Sequence, residues 1–197
     1  MIKTKNGKTR VMSEKMTIGD IAGFCPEEAV WKMMADVSAC LLEENAAGFL
    51  TPDSILIGGD AFFFETGHAV VSEFLAPEQE EGAATDRQQW VWSLGAVAFY
   101  AATGHVVFGG HGGSYQRRHP SVSLPVLPKG MQNLTPVLQR CLCRNPEERI
   151  ALAELRELSL SGWRQCKTQQ RMRTDVAPKN QSEGAEQNGD KWPEKMI

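Results

Sequence analysis

The stretch from Trp90 to Ala102 carries no charged side chain and is broken only by small or weakly polar residues such as Ser93 and Gly95. At that length it falls well short of the roughly 20 residues a bilayer crossing needs. Its start and stop signals are helical. Asp86 is a good N-cap, Gln89 stands at the reciprocal position of a capping box, and Thr103-Gly104-His105 ends the run. A helix over about Arg87 to Ala102 is therefore predicted, apolar on nearly every side. Such a helix has no face to give to water, so the rest of the chain must wrap around it.

The flanking sequence supplies further helices to do so. Pro26 suits the first helical position, Glu27 and Glu28 suit the positive end of a helix dipole, and Val30, Met34, Val37 and Leu41 recur at helical spacing. A helix from there to about Glu44 follows. Ser54-Ile55-Leu56-Ile57 and Ala61-Phe62-Phe63-Phe64 flank Gly58-Gly59-Asp60 and read as a β-hairpin, its phenylalanines packing on the helical core. Residues 109–128, rich in Gly and then Pro, read as a long loop. Two more amphipathic helices are predicted over Leu134–Cys143 and Leu152–Ser161, separated by Asn145-Pro146. The fold class is mainly α with one small hairpin. Residues 1–15 read as a flexible lead-in, 16–163 as the folded domain, and 164–197, with little to bury, as a disordered tail.

Charge follows the same partition. Residues 1–15 hold five basic and one acidic group; 16–163 hold nine and eighteen, a net of −9; 164–197 hold seven and five. An acidic body argues against nucleic acid, which wants clustered Lys and Arg on the folded face. It favours cations or basic peptides instead. The odd count of five cysteines and the lack of an apolar leader point to reduced thiols and a cytoplasmic setting. Cys141 and Cys143 lack a second ligand pair at zinc spacing, so burial as small hydrophobes is expected and no metal.

Four short motifs, in order, resemble the C-terminal helical lobe of the eukaryotic-type protein kinase fold. Leu50-Thr51-Pro52-Asp53-Ser54-Ile55-Leu56-Ile57 looks like the catalytic loop and following strand. Ala76-Pro77-Glu78 matches the close of an activation segment. Trp92-Ser93-Leu94-Gly95 through Phe108 matches the central helix, and Cys141-Leu142 with Asn145-Pro146-Glu147-Glu148-Arg149 matches the segment whose arginine pairs with the Ala-Pro-Glu glutamate. The resemblance thus implies a structural ion pair between Glu78 and Arg149.

The same alignment implies lost chemistry. Phe49 stands where the catalytic aspartate belongs, Thr51 where the lysine belongs and Ser54 where the metal-binding asparagine belongs. Glu65 replaces the aspartate of the Asp-Phe-Gly motif, and Trp90 replaces the aspartate that anchors the catalytic loop. Only eight residues, His68 to Leu75, separate Gly67 from Ala76, and no Gly-x-Gly-x-x-Gly occurs. A nucleotide lobe would need roughly 50 residues or more, and 30 precede Trp31. Phosphoryl transfer consists of positioning and electrostatics by those missing parts. Together with Met16 to Trp31, the pattern is similar to the kinase non-catalytic C-lobe domain, the KIND domain, a pseudokinase-like protein-interaction module some of whose members grip basic segments. The expectation is a scaffold or regulator without enzyme activity or cofactor. Its partner would be a basic peptide, with Glu80 and Glu81 as first contacts. A degenerate regulator that keeps nucleotide or completes a split kinase is the alternative implied.

Bland readings stand beside these. Glu78 with Arg149 is architecture rather than a site. Glu65 alone lacks the oxygen ligands Mg²⁺ demands. Asp53 and His68 have no nucleophile at a recognisable spacing, and Arg117-Arg118-His119 reads as a solvated run.

Overall fold

The computed structural model describes residues 15–43, 48–79, 86–124 and 126–176. It is mainly helical with one two-stranded antiparallel sheet. Among the described residues the elements are α1 (Ile18–Ile21), α2 (Glu27–Leu42), β1 (Ile55–Gly58), β2 (Ala61–Phe64), α3 (Arg87–Thr103), α4 (Gly112–Arg118), α5 (Thr135–Cys141) and α6 (Leu152–Val176), with four single 3₁₀ turns between them.

At the centre is α3, buried at every residue from Gln89 to Phe99. Its start is fixed as the sequence dictates: Gln89 N donates to Asp86 Oδ1 at 2.8 Å and Asp86 N donates to Gln89 Oε1 at 3.0 Å. Its end is fixed by Gly104, whose φ of 73° lets its N–H turn back to Tyr100 O at 2.8 Å. Gly95 brings α5 close, since a Cβ there would lie 2.6 Å from Cys141 Cβ.

Against this core, α2 and α6 pack antiparallel. A Cβ at Gly162 would meet the Trp31 ring at 2.6 Å, and further along Lys167 Nζ binds Glu28 Oε1 at 2.6 Å. This pairing corrects the expected boundary at Trp163. Residues 164–176 continue α6 rather than beginning a disordered tail, because the stripe Leu155, Ser159, Gly162 and Cys166 keeps helical spacing against α2 past that point. Residues 177–197, the rest of that expected tail, lie outside the described residues.

Other boundaries also shift. α2 stops at Leu42, with Glu43 extended. α4 forms inside the expected loop of residues 109–128. Its Gly112 and Gly113 are buried against the backbone of Glu73 and of Leu75–Pro77, where no Cβ would fit. α5 ends at Cys141, two residues short of expectation, and a 3₁₀ turn over Gln132–Leu134 leads into it.

The hairpin pairs Ile55 with Phe64 through Gly58 with Ala61. Gly59, first of the two loop residues, takes φ 69°, the positive value such short loops require. Strand alternation corrects the expectation for the three phenylalanines: Phe62 is buried and Phe64 half-buried, but Phe63 faces solvent. Both hairpin edges are covered. Phe62 N donates to Asp36 Oδ2 on α2 at 3.1 Å, and Ile57 N donates to Met16 O at 2.9 Å, where Thr17 bridges Leu56. None of the described helices is long and apolar enough to cross a membrane.

Candidate functional site

The loop over residues 48–54 leads into the hairpin and holds Phe49, Thr51 and Ser54, three of the positions singled out through the resemblance. Thr51 and Ser54 flank a 3₁₀ turn and are both buried, at 2% and 0% exposure. They bond one another reciprocally. Thr51 N donates to Ser54 Oγ at 2.9 Å, Ser54 N to Thr51 Oγ1 at 3.3 Å, and Ser54 Oγ to Thr51 O at 2.8 Å. Both hydroxyls are spent on closing the turn. Phe49 is half-buried and Asp53 exposed.

From the first turn of α3, Trp90 Nε1 donates to Gly48 O at 3.1 Å. The central helix thus reaches this loop through an indole N–H and a backbone carbonyl. A carboxylate at position 90 would need donors from the loop instead, so the polarity at this contact is opposite to that of an anchoring aspartate.

Just past β2, Glu65 accepts from Lys15 Nζ at 2.5 Å and lies 3.3 Å from His68 Nε2. The Lys15 bond, then the His68 bond, hold its carboxyl below the usual carboxylate range. Glu65 is solvent-reachable, and its partners are cationic or basic side chains, not oxygen ligands.

Arg149 is the most connected side chain among the described residues. It is wholly buried, and all five of its N–H groups find acceptors. Nη1 and Nη2 donate to Glu78 Oε1 and Oε2 at 2.6 and 2.7 Å, Nη1 also to Gln88 O at 3.0 Å, Nη2 to Arg144 O at 3.1 Å and Nε to Cys143 O at 2.8 Å. Glu78 keeps 28% of its side chain exposed. One guanidinium thereby ties the Ala76-Pro77-Glu78 turn to the start of α3 and to the turn after α5.

A second tie was not foreseeable from local pattern. Trp92, buried in α3, donates from Nε1 to Gln116 Oε1 at 3.0 Å, and Gln116 Nε2 donates to Leu142 O at 2.6 Å. Gln116 sits on α4, the helix the sequence hid in a glycine-rich stretch, and a lone glutamine carries no signal of its own. Beside these two ties opens a groove of about 920 Å³ of mixed character, in which Val122, Leu124 and Leu142 alternate with Gln139, Asn145, Glu148, Arg117 and Arg144.

All five cysteines are free thiols. Burial pushes the Cys141 thiol far up, and burial followed by the nearby Glu148 raises that of Cys143. Neither is poised as a thiolate ligand or nucleophile. Glu80 and Glu81, the first candidates for partner contact, lie outside the described residues. The structure gathers Phe49, Thr51, Ser54 and Trp90 around one loop, puts Glu65 at the hairpin's end, and sets Glu78 with Arg149 apart from them. No family model matches the chain, and no curated protein sequence matches it.

Proposed function

We propose that this chain is a non-catalytic, kinase C-lobe-like protein-interaction module that binds a basic segment of a partner. The observation that carries the reading is the closed turn of Thr51 and Ser54. At the positions where a phosphoryl-transfer loop would aim a lysine and a metal-binding amide outward, two buried hydroxyls are each bonded to the other residue's backbone. Phe49 supplies no proton acceptor beside them. The arginine tie at Glu78 preserves architecture without chemistry, which is how a superfold is reused.

The charge of the body supports a basic partner. Glu43, Asp53 and Asp60 are exposed carboxylates, and none of them has a cationic partner among the described residues. Lys15, at the end of the basic lead-in, already rests on Glu65 and so provides an internal example of such a contact. Electrostatic steering of this kind sets association rate and falls with salt, since the screening length is about 8 Å at physiological ionic strength.

The experiment is titration of the full chain with a fluorescent Lys/Arg-rich peptide over a range of salt. Saturable binding should weaken by about tenfold or more between low and high salt, and Glu80→Lys with Glu81→Lys should slow association while leaving the melting temperature in place. Binding indifferent to salt and to these reversals would refute the basic-partner reading.

A further inference from the structure

The net −9 of residues 16–163 conceals a second partition. Residues 87–146 contain no Asp or Glu and carry six basic side chains, Arg87, Arg117, Arg118, Lys129, Arg140 and Arg144. All eighteen carboxylates of the body therefore lie in 16–86 and 147–163, against three basic groups there, Lys32, Arg149 and Arg156. The stretch without carboxylates comprises α3, α4, α5 and their connections. A portion of +6 thus stands beside one of −15, and charge complementarity gives the two portions different partners.

Internal contacts use up only part of the basic charge. Arg140 Nη1 pairs with Glu154 Oε1 at 2.8 Å, and Arg118 Nε donates to Ser114 O at 3.2 Å within its own helix. Arg117 and Arg144 make no ion pair among the described residues, and both line the groove beside the Glu78–Arg149 tie. Arg117 comes from α4 and Arg144 from the turn after α5, elements joined through the Gln116 bond to Leu142 O. Two guanidiniums without carboxylates therefore share one cleft, and their planar forks match the paired oxygens of a carboxylate.

The rest of the lining selects the kind of anion. Glu78 has both oxygens on Arg149, whereas Glu148 is held only by Asn145 Nδ2, at 3.2 Å. A nucleic acid, with a phosphate on every residue, would press negative charge against Glu148. An extended peptide alternates its side chains and can set a neutral one there. Val122, Leu124 and Leu142 offer apolar contact to such a residue, and Ser123 and Gln139 can hydrogen-bond peptide groups. We propose that this groove binds a short acidic segment of a partner protein, its carboxylates on Arg117 and Arg144 and an intervening apolar side chain against Val122, Leu124 and Leu142. The ligand is opposite in charge to the basic segment proposed above, so either reading can fail while the other stands.

The test is fluorescence anisotropy of a fluorescein-labelled peptide of Glu-Leu-Glu units spaced by Gly-Ser, titrated with the full chain. Binding should be saturable, and about tenfold or more tighter than that of the matched Gln-Leu-Gln peptide and of oligothymidylate of similar length. Arg117→Glu with Arg144→Glu, both at exposed positions, should weaken it by about tenfold or more while the melting temperature stays in place. Should the double variant not fold, the Glu and Gln peptides compared on the unaltered chain still decide the matter. Absence of saturable binding overturns the proposal. So does equal affinity for the Gln peptide, binding by a folded variant that ignores loss of the two arginines, or tighter binding of the oligonucleotide, which would make the groove a nucleic-acid site.

Discussion

Replacing Arg149 with Ala should lower the stability of the domain by about 3–5 kcal/mol, the cost of breaking a buried ion pair from its buried side. The size follows from the count of bonds lost at once. The substitution strands the Glu78 carboxylate and the carbonyls of Gln88, Cys143 and Arg144, and it leaves a void where the guanidinium lay. Against the 5–15 kcal/mol typical of a folded domain, that is a large share. Arg149→Lys should recover little, because a single ammonium offers three donors without the planar fork that meets both carboxylate oxygens. Glu78→Ala should cost less than Arg149→Ala, since 28% of the Glu78 side chain is open to water and solvent can enter beside the guanidinium. Urea unfolding of the three variants checks the order. An Arg149→Ala midpoint equal to that of the unaltered chain would refute the role given to this residue.

The second large effect is expected at Trp92. Truncation to Ala removes the biggest wholly buried side chain of the core and should cost about 3–5 kcal/mol in transfer and cavity terms. It also leaves the buried Gln116 Oε1 without its donor. For a chain of this length the melting temperature should fall by about 10 °C or more. Gln116→Leu separates the two contributions. It keeps the packing but orphans the Trp92 N–H and the Leu142 carbonyl, at about 1–3 kcal/mol each. Thermal denaturation followed by far-UV circular dichroism reads both. If Gln116→Leu melts with the unaltered chain, the bridge from α3 through α4 to the end of α5 contributes nothing.

What could be read from sequence, and what could not, divides by range. The start of α3 was legible because Asp86 and Gln89 settle it within four residues, and the hairpin because Gly58-Gly59-Asp60 interrupts two apolar runs. α6 was cut short at Trp163 by its polar composition. The stripe continuing to Cys166, with Lys167 set to meet Glu28, was the signal that composition masked. α4 was missed because Gly112 and Gly113 have low helix propensity, and tertiary contact against Leu75–Pro77 overrides it. Propensity cannot see a backbone 36 or more residues away. Glu78 and Arg149, 71 residues apart, were paired only through a resemblance, for nothing local joins them. Thr51 and Ser54 were legible as loop positions through the same resemblance. Their mutual closure depends on burial of the turn, which sequence spacing alone does not reveal.

The proposal made above, a module without phosphoryl-transfer chemistry, rests on the closed Thr51–Ser54 turn of residues 48–54. Its most direct test is the melting temperature of the full chain with and without millimolar Mg-ATP. A nucleotide that binds the folded state stabilises it by mass action, about 2.7 kcal/mol at a hundred times its dissociation constant, which amounts to several degrees here. Superimposable transitions are expected. A reproducible, Mg²⁺-dependent rise that is lost in Glu65→Ala would contradict it and would make this chain a nucleotide-binding protein.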